Sequence, residues 1–98
     1  MLKTIAFCVD ELGRVVPFEA APFVRIYERC LDSWVLVQEL QVVRDLALLG
    51  GCLALVGESV GALVRSELES AGVGVWELPG EPADLAELVW SEELRAAA

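Results

Sequence analysis

The side chains of this chain that could do chemistry are carboxylates and thiols. Its 98 residues include sixteen Asp and Glu, three Cys and no His. Without imidazole there is no histidine base, no histidine metal ligand and no Ser-His-Asp or Cys-His relay. What the sequence does supply is acid at the ends of apolar runs. Asp10 closes Ile5-Ala6-Phe7-Cys8-Val9, Glu58 follows the run ending at Val56, and Glu77 follows Val73-Gly74-Val75-Trp76. The segment Gly57-Glu58-Ser59-Val60-Gly61 reads as a strand turning into a helix, where backbone N–H groups and the positive helix end can hold an anion. As a phosphate loop its letters are poor, because the Lys and Gly spacing of nucleotide fingerprints is missing and Glu58 places a negative charge where the phosphate would lie. The competing reading is a strand-to-helix turn capped by Ser59. A rim made of Asp10, Gly57, Glu58 and Ser59, with Glu19 as a nearby acid, is expected to prefer a metal-bearing or cationic ligand, or else to be a plain solvated loop.

Cys8, Cys30 and Cys52 lie too far apart in sequence for the paired spacing of a zinc site, and an odd count of three is no disulfide framework. Cys8 sits inside an apolar run and Cys52 opens another, so both read as small core hydrophobes. Cys30, beside Asp32 and Ser33, is the thiol expected at the surface and the thiol candidate for a metal. Asp10 stands where the first acid of a two-metal nuclease would stand. No obvious set of acids at neighbouring strand ends joins it, and a net charge of −9 repels a phosphate backbone.

That charge is uneven, since from Glu58 onward nine acids face two bases. It either solvates two helix surfaces or favours a basic protein partner. At 56% hydrophobic and 23% charged, the chain can build one core, and 98 residues leave room for a single domain. No run approaches the roughly 20 apolar residues that span a bilayer, and Asp10 interrupts any secretory core. A cytoplasmic location is the expectation, without nucleic-acid or membrane partners.

These residues must be positioned by a change of period along the chain. Leu2 to Val9 is a strand apolar on both faces, and Asp10 to Gly13 is a turn. Val15 to Phe18 reads as a short strand that Pro17 restricts to an edge or bulge. Phe23 to Glu28 and Trp34 to Leu40 form a hairpin, with Trp34, Leu36, Gln38 and Leu40 on one face. Gln41 to Leu49 has helical spacing and ends at Gly50-Gly51. Cys52 to Val56 is a buried strand. A helix from Ser59 carries the stripe Val60, Leu63, Val64, Leu68 and Ala71 and closes on Gly72. Val73 to Leu78 is the last strand, and Pro82 opens a helix with Leu85, Leu88 and Val89 inward. Trp90, one step off that stripe, is expected at a groove edge or at a contact between copies in a homo-oligomer.

Strands first and strand-helix alternation afterwards give an α/β fold, the ribonuclease H-like three-layer arrangement. It is a mixed five-stranded sheet whose first three strands are antiparallel, with helices on both faces. The ferredoxin-like arrangement is the alternative, opposed by Gly13, Pro17 and Pro22 where its first helix would lie. In the favoured order the Cys52 to Val56 strand lies beside the first one, a switch point of the kind at which α/β sheets bind ligands.

Ile5-Ala6 with Val9-Asp10 and Gly13, Phe18-Glu19 with Val24, Tyr27 and Glu28, the Trp34 strand, Leu68-Glu69-Ser70-Ala71-Gly72, Val75-Trp76-Glu77 and Gly80-Glu81-Pro82 together resemble the iron-only nitrogenase accessory protein family. That family is related to the dinitrogenase iron-molybdenum cofactor biosynthesis domains. The resemblance implies a non-catalytic role in nitrogen fixation and metallocluster biosynthesis, with a nitrogenase component, a maturation protein or an iron-sulfur or iron-molybdenum cofactor precursor as partner. The segment between Leu40 and Cys52 is shorter than is usual there. Pro17-Phe18-Glu19 replaces a His-Phe-Gly type turn, so a histidine ligand does not carry over and any cluster would need thiolates or carboxylates. The alternative function is a small-molecule-sensing or regulatory module unrelated to nitrogenase.

Overall fold

Among the described residues, five strands lie in the order β3-β2-β1-β4-β5, built from β1 (Thr4–Val9), β2 (Phe23–Cys30), β3 (Ser33–Gln41), β4 (Ala54–Gly57) and β5 (Gly74–Glu77). The computed structural model describes residues 3–41 and 46–97. β1 pairs antiparallel with β2 and parallel with β4; β2 and β3 are antiparallel, and β4 and β5 parallel. The two strands expected to be apolar on both faces therefore lie side by side inside the sheet. Ile5 to Val9 and Ala54 to Val56 are all buried.

Alternation along β1 and β4 divides the core. Ile5, Phe7, Val9, Ala54 and Val56 pack beneath α2 (Pro82–Ala97) through Ala86, Val89 and Trp90. Ala6, Cys8 and Leu55 pack on the other face with Leu68 of α1 (Ala62–Ser70), Val73, and Leu49 of a 3-10 turn over Leu46–Leu49. Each helix covers one face. Among the described residues, no helix is long and apolar enough to cross a membrane.

Several local expectations change, each for a physical reason. Val15 to Phe18 forms no strand: Val15 makes one isolated bridge to Val9, and Phe18–Ala20 is a 3-10 turn. Pro17 denies that stretch a ladder donor. Gln41 ends β3 instead of starting a helix, residues 42–45 lie outside the described residues, and only the 3-10 turn follows. In the β2–β3 ladder Tyr27 faces Leu36 while Ile26 faces Gln38, so Val37 is an extra residue, a bulge that reverses the faces beyond it. Glu39 thereby joins the side of Trp34 and Leu36, opposite Arg25, whereas Gln38 and Leu40 point the other way.

Helix α1 begins at Ala62 with Gly61 as its cap residue and no side-chain cap bond, so Ser59 is not its cap. Leu63, 83% exposed, falls off the buried stripe that Val64 and Leu68 occupy four residues apart. The far end follows expectation: Gly72 has φ of +85°, Val73 N–H donates to Leu68 O and Gly72 N–H to Glu69 O, a Schellman closure. In α2, Leu88 is about half exposed and Trp90 is buried, exchanging the places expected of them.

Candidate functional site at the carboxyl ends of the parallel strands

β1, β4 and β5 run parallel, so their carboxyl ends share one rim. Across it lies the segment Val15 to Phe18. Val16 N–H donates to Cys8 O, Val15 N–H to Gly80 O, Glu58 N–H to Val16 O and Phe18 N–H to Ser59 O, at 2.8–3.0 Å. A strap of backbone thus crosses the switch point between β1 and β4. It also takes up an amide that an anion at the following turn would need. The Glu58 amide is bonded to the strap, and the Val60 amide donates to Glu77 Oε2 at 2.9 Å. Glu77 in turn is bound by Arg65 at 2.8 Å, so it ties the end of β5 to α1. A carboxylate from β5 thus bonds an amide just before the helix start, where Ser59 makes no cap bond.

The strap leaves open a shallow cleft of about 610 Å³. Asp10, Glu58, Glu81 and Asp84 line it, together with Arg14. Asp10 Oδ1 accepts from the amides of Leu12 and Arg14 at 2.9 and 3.0 Å, which fixes the turn after β1. These bonds, the Arg14 amide foremost, hold the Asp10 carboxyl below its ordinary range. Arg14 approaches the other carboxylate oxygen only to 4.0 Å and is itself largely exposed. Asp10 and Glu58 line the same cleft, as expected from the topology. Gly57 is buried beneath the rim, where an added Cβ would press on Ser59 O, Val60 and the Cys8 sulfur. Glu19 stands away from the cleft, its carboxylate 3.6 Å from where a Gly61 Cβ would be. Ser59 contributes its carbonyl to the strap and does not line the cleft.

Glu81 and Asp84, which sequence reasoning passed over, complete the acidic lining. Their signal was present: Gly80-Glu81-Pro82 follows the last parallel strand and starts a helix, so topology returns it to the same rim. Among the described residues, no group of three His, Cys, Asp or Glu side chains could hold a metal ion. The thiols do not supply a set either. Cys8 and Cys52 are buried, and burial pushes the Cys8 thiol up to about 12 and raises Cys52 as well. Cys30 is exposed and stands beside Glu28, its sulfur 3.7 Å from the carboxylate. The donors present do not fit direct ligation of an iron-sulfur or iron-molybdenum cluster. The cleft can instead offer four carboxylates to a complementary positive surface.

A second concavity, about 420 Å³, opens between the start of α2 and the outer strands, with Arg25, Tyr27 and Trp34 in its wall. Trp34 donates its indole N–H to Glu87 of α2 at 2.7 Å, and Arg29 joins the same carboxylate at 2.9 Å. These bonds, Trp34 first, lower the Glu87 pKa.

No family model matches the chain, and no curated protein does. Among solved structures, the one titled "Crystal structure of PH0822" is similar, with a TM-score of 0.67 at 14% identity over 84% of each chain. At that identity the likeness speaks for the α/β fold alone.

Proposed function

We propose that this chain is a non-catalytic accessory module of ribonuclease H-like fold, and that its acidic rim docks on a basic surface of a nitrogenase component or maturation protein. The fold name draws support from the strand order, with three antiparallel strands leading into two parallel crossovers and a helix on each face. The observation that carries the site is the convergence of Asp10, Glu58, Glu81 and Asp84 on one open cleft at the switch point, in a chain of net charge −9. The choice of partner rests on the resemblance of the strand and turn residues described above. Among the described residues the carboxylates and thiols form no ligand set, so the reading treats a metal-cluster precursor as cargo of the partner, with this chain touching the protein around it. Opposite charge then contributes encounter rate and orientation more than raw affinity.

A deletion strain grown on dinitrogen without molybdenum tests this reading. Wild-type gene should restore growth, whereas a gene carrying Glu58→Lys with Asp84→Lys should not, at equal protein level. Normal growth of the deletion strain, or full rescue by the double variant, rejects it.

A further inference from the structure

The concavity on the α2 face shares only Glu81 with the rim, and the rim reading does not use it. Its volume of about 420 Å³ falls within the ~300–1,000 Å³ of small-molecule sites. Two aromatic walls are held from behind. Tyr27 packs edge-to-face on buried Phe7 with ring centres 5.7 Å apart. Trp34 is fixed at its indole N–H by Glu87 and packs edge-on against Trp90 at 5.9 Å. Neither ring must be ordered when a ligand arrives, which removes part of the usual cost of binding.

The polar equipment is the Arg25 guanidinium, whose five donors are shared among Glu39, Tyr27 and the open cavity. Arg25 Nε donates to Glu39 at 2.7 Å, an opposition that the Val37 bulge creates. The Nη groups lie at the Gly13 turn, where an added Cβ would stand 3.1 Å from Nη1. Glycine there, at φ of +84°, leaves the fork open to the cavity. Charge on the lining balances, Arg25 against Glu81, with Glu39 adjacent. An anion would meet two carboxylates, and a cation would meet Arg25. A ring stacked on Trp34 and Tyr27 with acceptors toward the fork satisfies every wall.

We infer that this cavity binds a small uncharged planar heterocycle, stacked on Trp34 and Tyr27 and presenting adjacent hydrogen-bond acceptors to Arg25. The small-molecule site is thereby placed away from the Asp10 rim, on the opposite side of Glu81. Guanosine is a suitable probe, because its O6 and N7 match a bidentate arginine.

The experiment is an amide and indole chemical-shift titration of the full chain with guanosine, with 5′-guanosine monophosphate and benzamidine as anionic and cationic controls. Saturable shifts at Leu12, Gly13, Tyr27 and the Trp34 indole are expected, with both controls binding no more tightly than guanosine. Arg25→Lys, which keeps the charge and loses the fork, should weaken guanosine about tenfold. Trp34→Leu, which spares the fork, should do the same, and the spectra themselves report whether each variant is folded. Absence of saturable shifts at these residues, tighter binding of either control, or unchanged affinity in both folded variants overturns the inference. The Glu58 signal, read in the same spectra, belongs to the rim reading and should stay unmoved.

Discussion

Replacing Gly74 by alanine adds one methyl group at a place where the fold has put a carboxylate. An added Cβ there would overlap Glu93 Oε1 and stand 2.8 Å from its Cδ. Glu93 is the end of a flexible side chain and can swing aside, so the backbone need not move. Its departure breaks the bond it accepts from the Trp76 indole N–H, 2.6 Å long and partly buried. A hydrogen bond to a charged acceptor is worth about 1.5–3 kcal/mol, and partial exposure brings this one to about 1–2 kcal/mol. Alanine in place of glycine at a strand position returns about 0.5–1 kcal/mol. The net loss is about 0–1.5 kcal/mol, centred on ~0.75 kcal/mol, which lowers the melting temperature by about 3–6 °C for a domain of this size. Thermal and urea melts of wild type, Gly74→Ala, Glu93→Ala and the double variant close the cycle. In the Glu93→Ala background the glycine substitution should change sign and stabilise. Equal destabilisation in both backgrounds would show that Glu93 is not what excludes the methyl group.

Acid should weaken the fold through Asp10 and Glu87, whose folded pKa values lie below the ordinary 3.8 and 4.5. Their contribution is complete above those ordinary values and is lost as pH falls through the folded ones, so urea midpoints should decline below about pH 4.5; Glu87→Gln should flatten that limb, and an unchanged slope would remove Glu87 from the account. Leu31 forms the hairpin tip at φ of +61° and is 93% exposed. The left-handed cost of about 1–2 kcal/mol exceeds the ~0.5–1 kcal/mol that glycine adds to the unfolded chain's entropy, so Leu31→Gly should raise the melting temperature, and a lower one would contradict the strain. An aromatic disulfide reagent should label one thiol of the native protein rapidly, Cys30, and reach Cys8 and Cys52 only after denaturation; fast labelling of all three would contradict their burial.

The elements that could be read from sequence were those whose signals are local. Apolar runs marked β1 and β4, Gly72 marked the end of α1, and Pro82 marked the start of α2. Errors arose where a distant partner decides. Nothing near Val37 announces a bulge, because register belongs to the pair of strands. Ser59 has the letter of a cap, yet Glu77, eighteen residues on, takes the adjoining amide. Leu63 and Leu88 fit an apolar period but face water, while Trp90 turns inward onto Trp34 and Arg29. Of the site, Asp10 and Glu58 followed from topology alone. Glu19 did not reach the cleft because the Val15 to Phe18 strap, which hydrogen-bonds across the switch point, carries it toward Gly61. Arg25 was unreadable as a ligand group, since its orientation depends on the bulge that brings Glu39 opposite it.

The acidic rim is proposed as an interaction surface for a nitrogenase protein. Biolayer interferometry of the immobilised chain against purified cofactor-free iron-only nitrogenase catalytic component tests it directly. The account predicts saturable binding that weakens as salt is raised from about 50 to 300 mM, as screening of exposed charges requires, and at least a tenfold loss in Glu58→Lys with Asp84→Lys while folding is kept. No binding at low salt, or equal binding by the folded double variant, would contradict it.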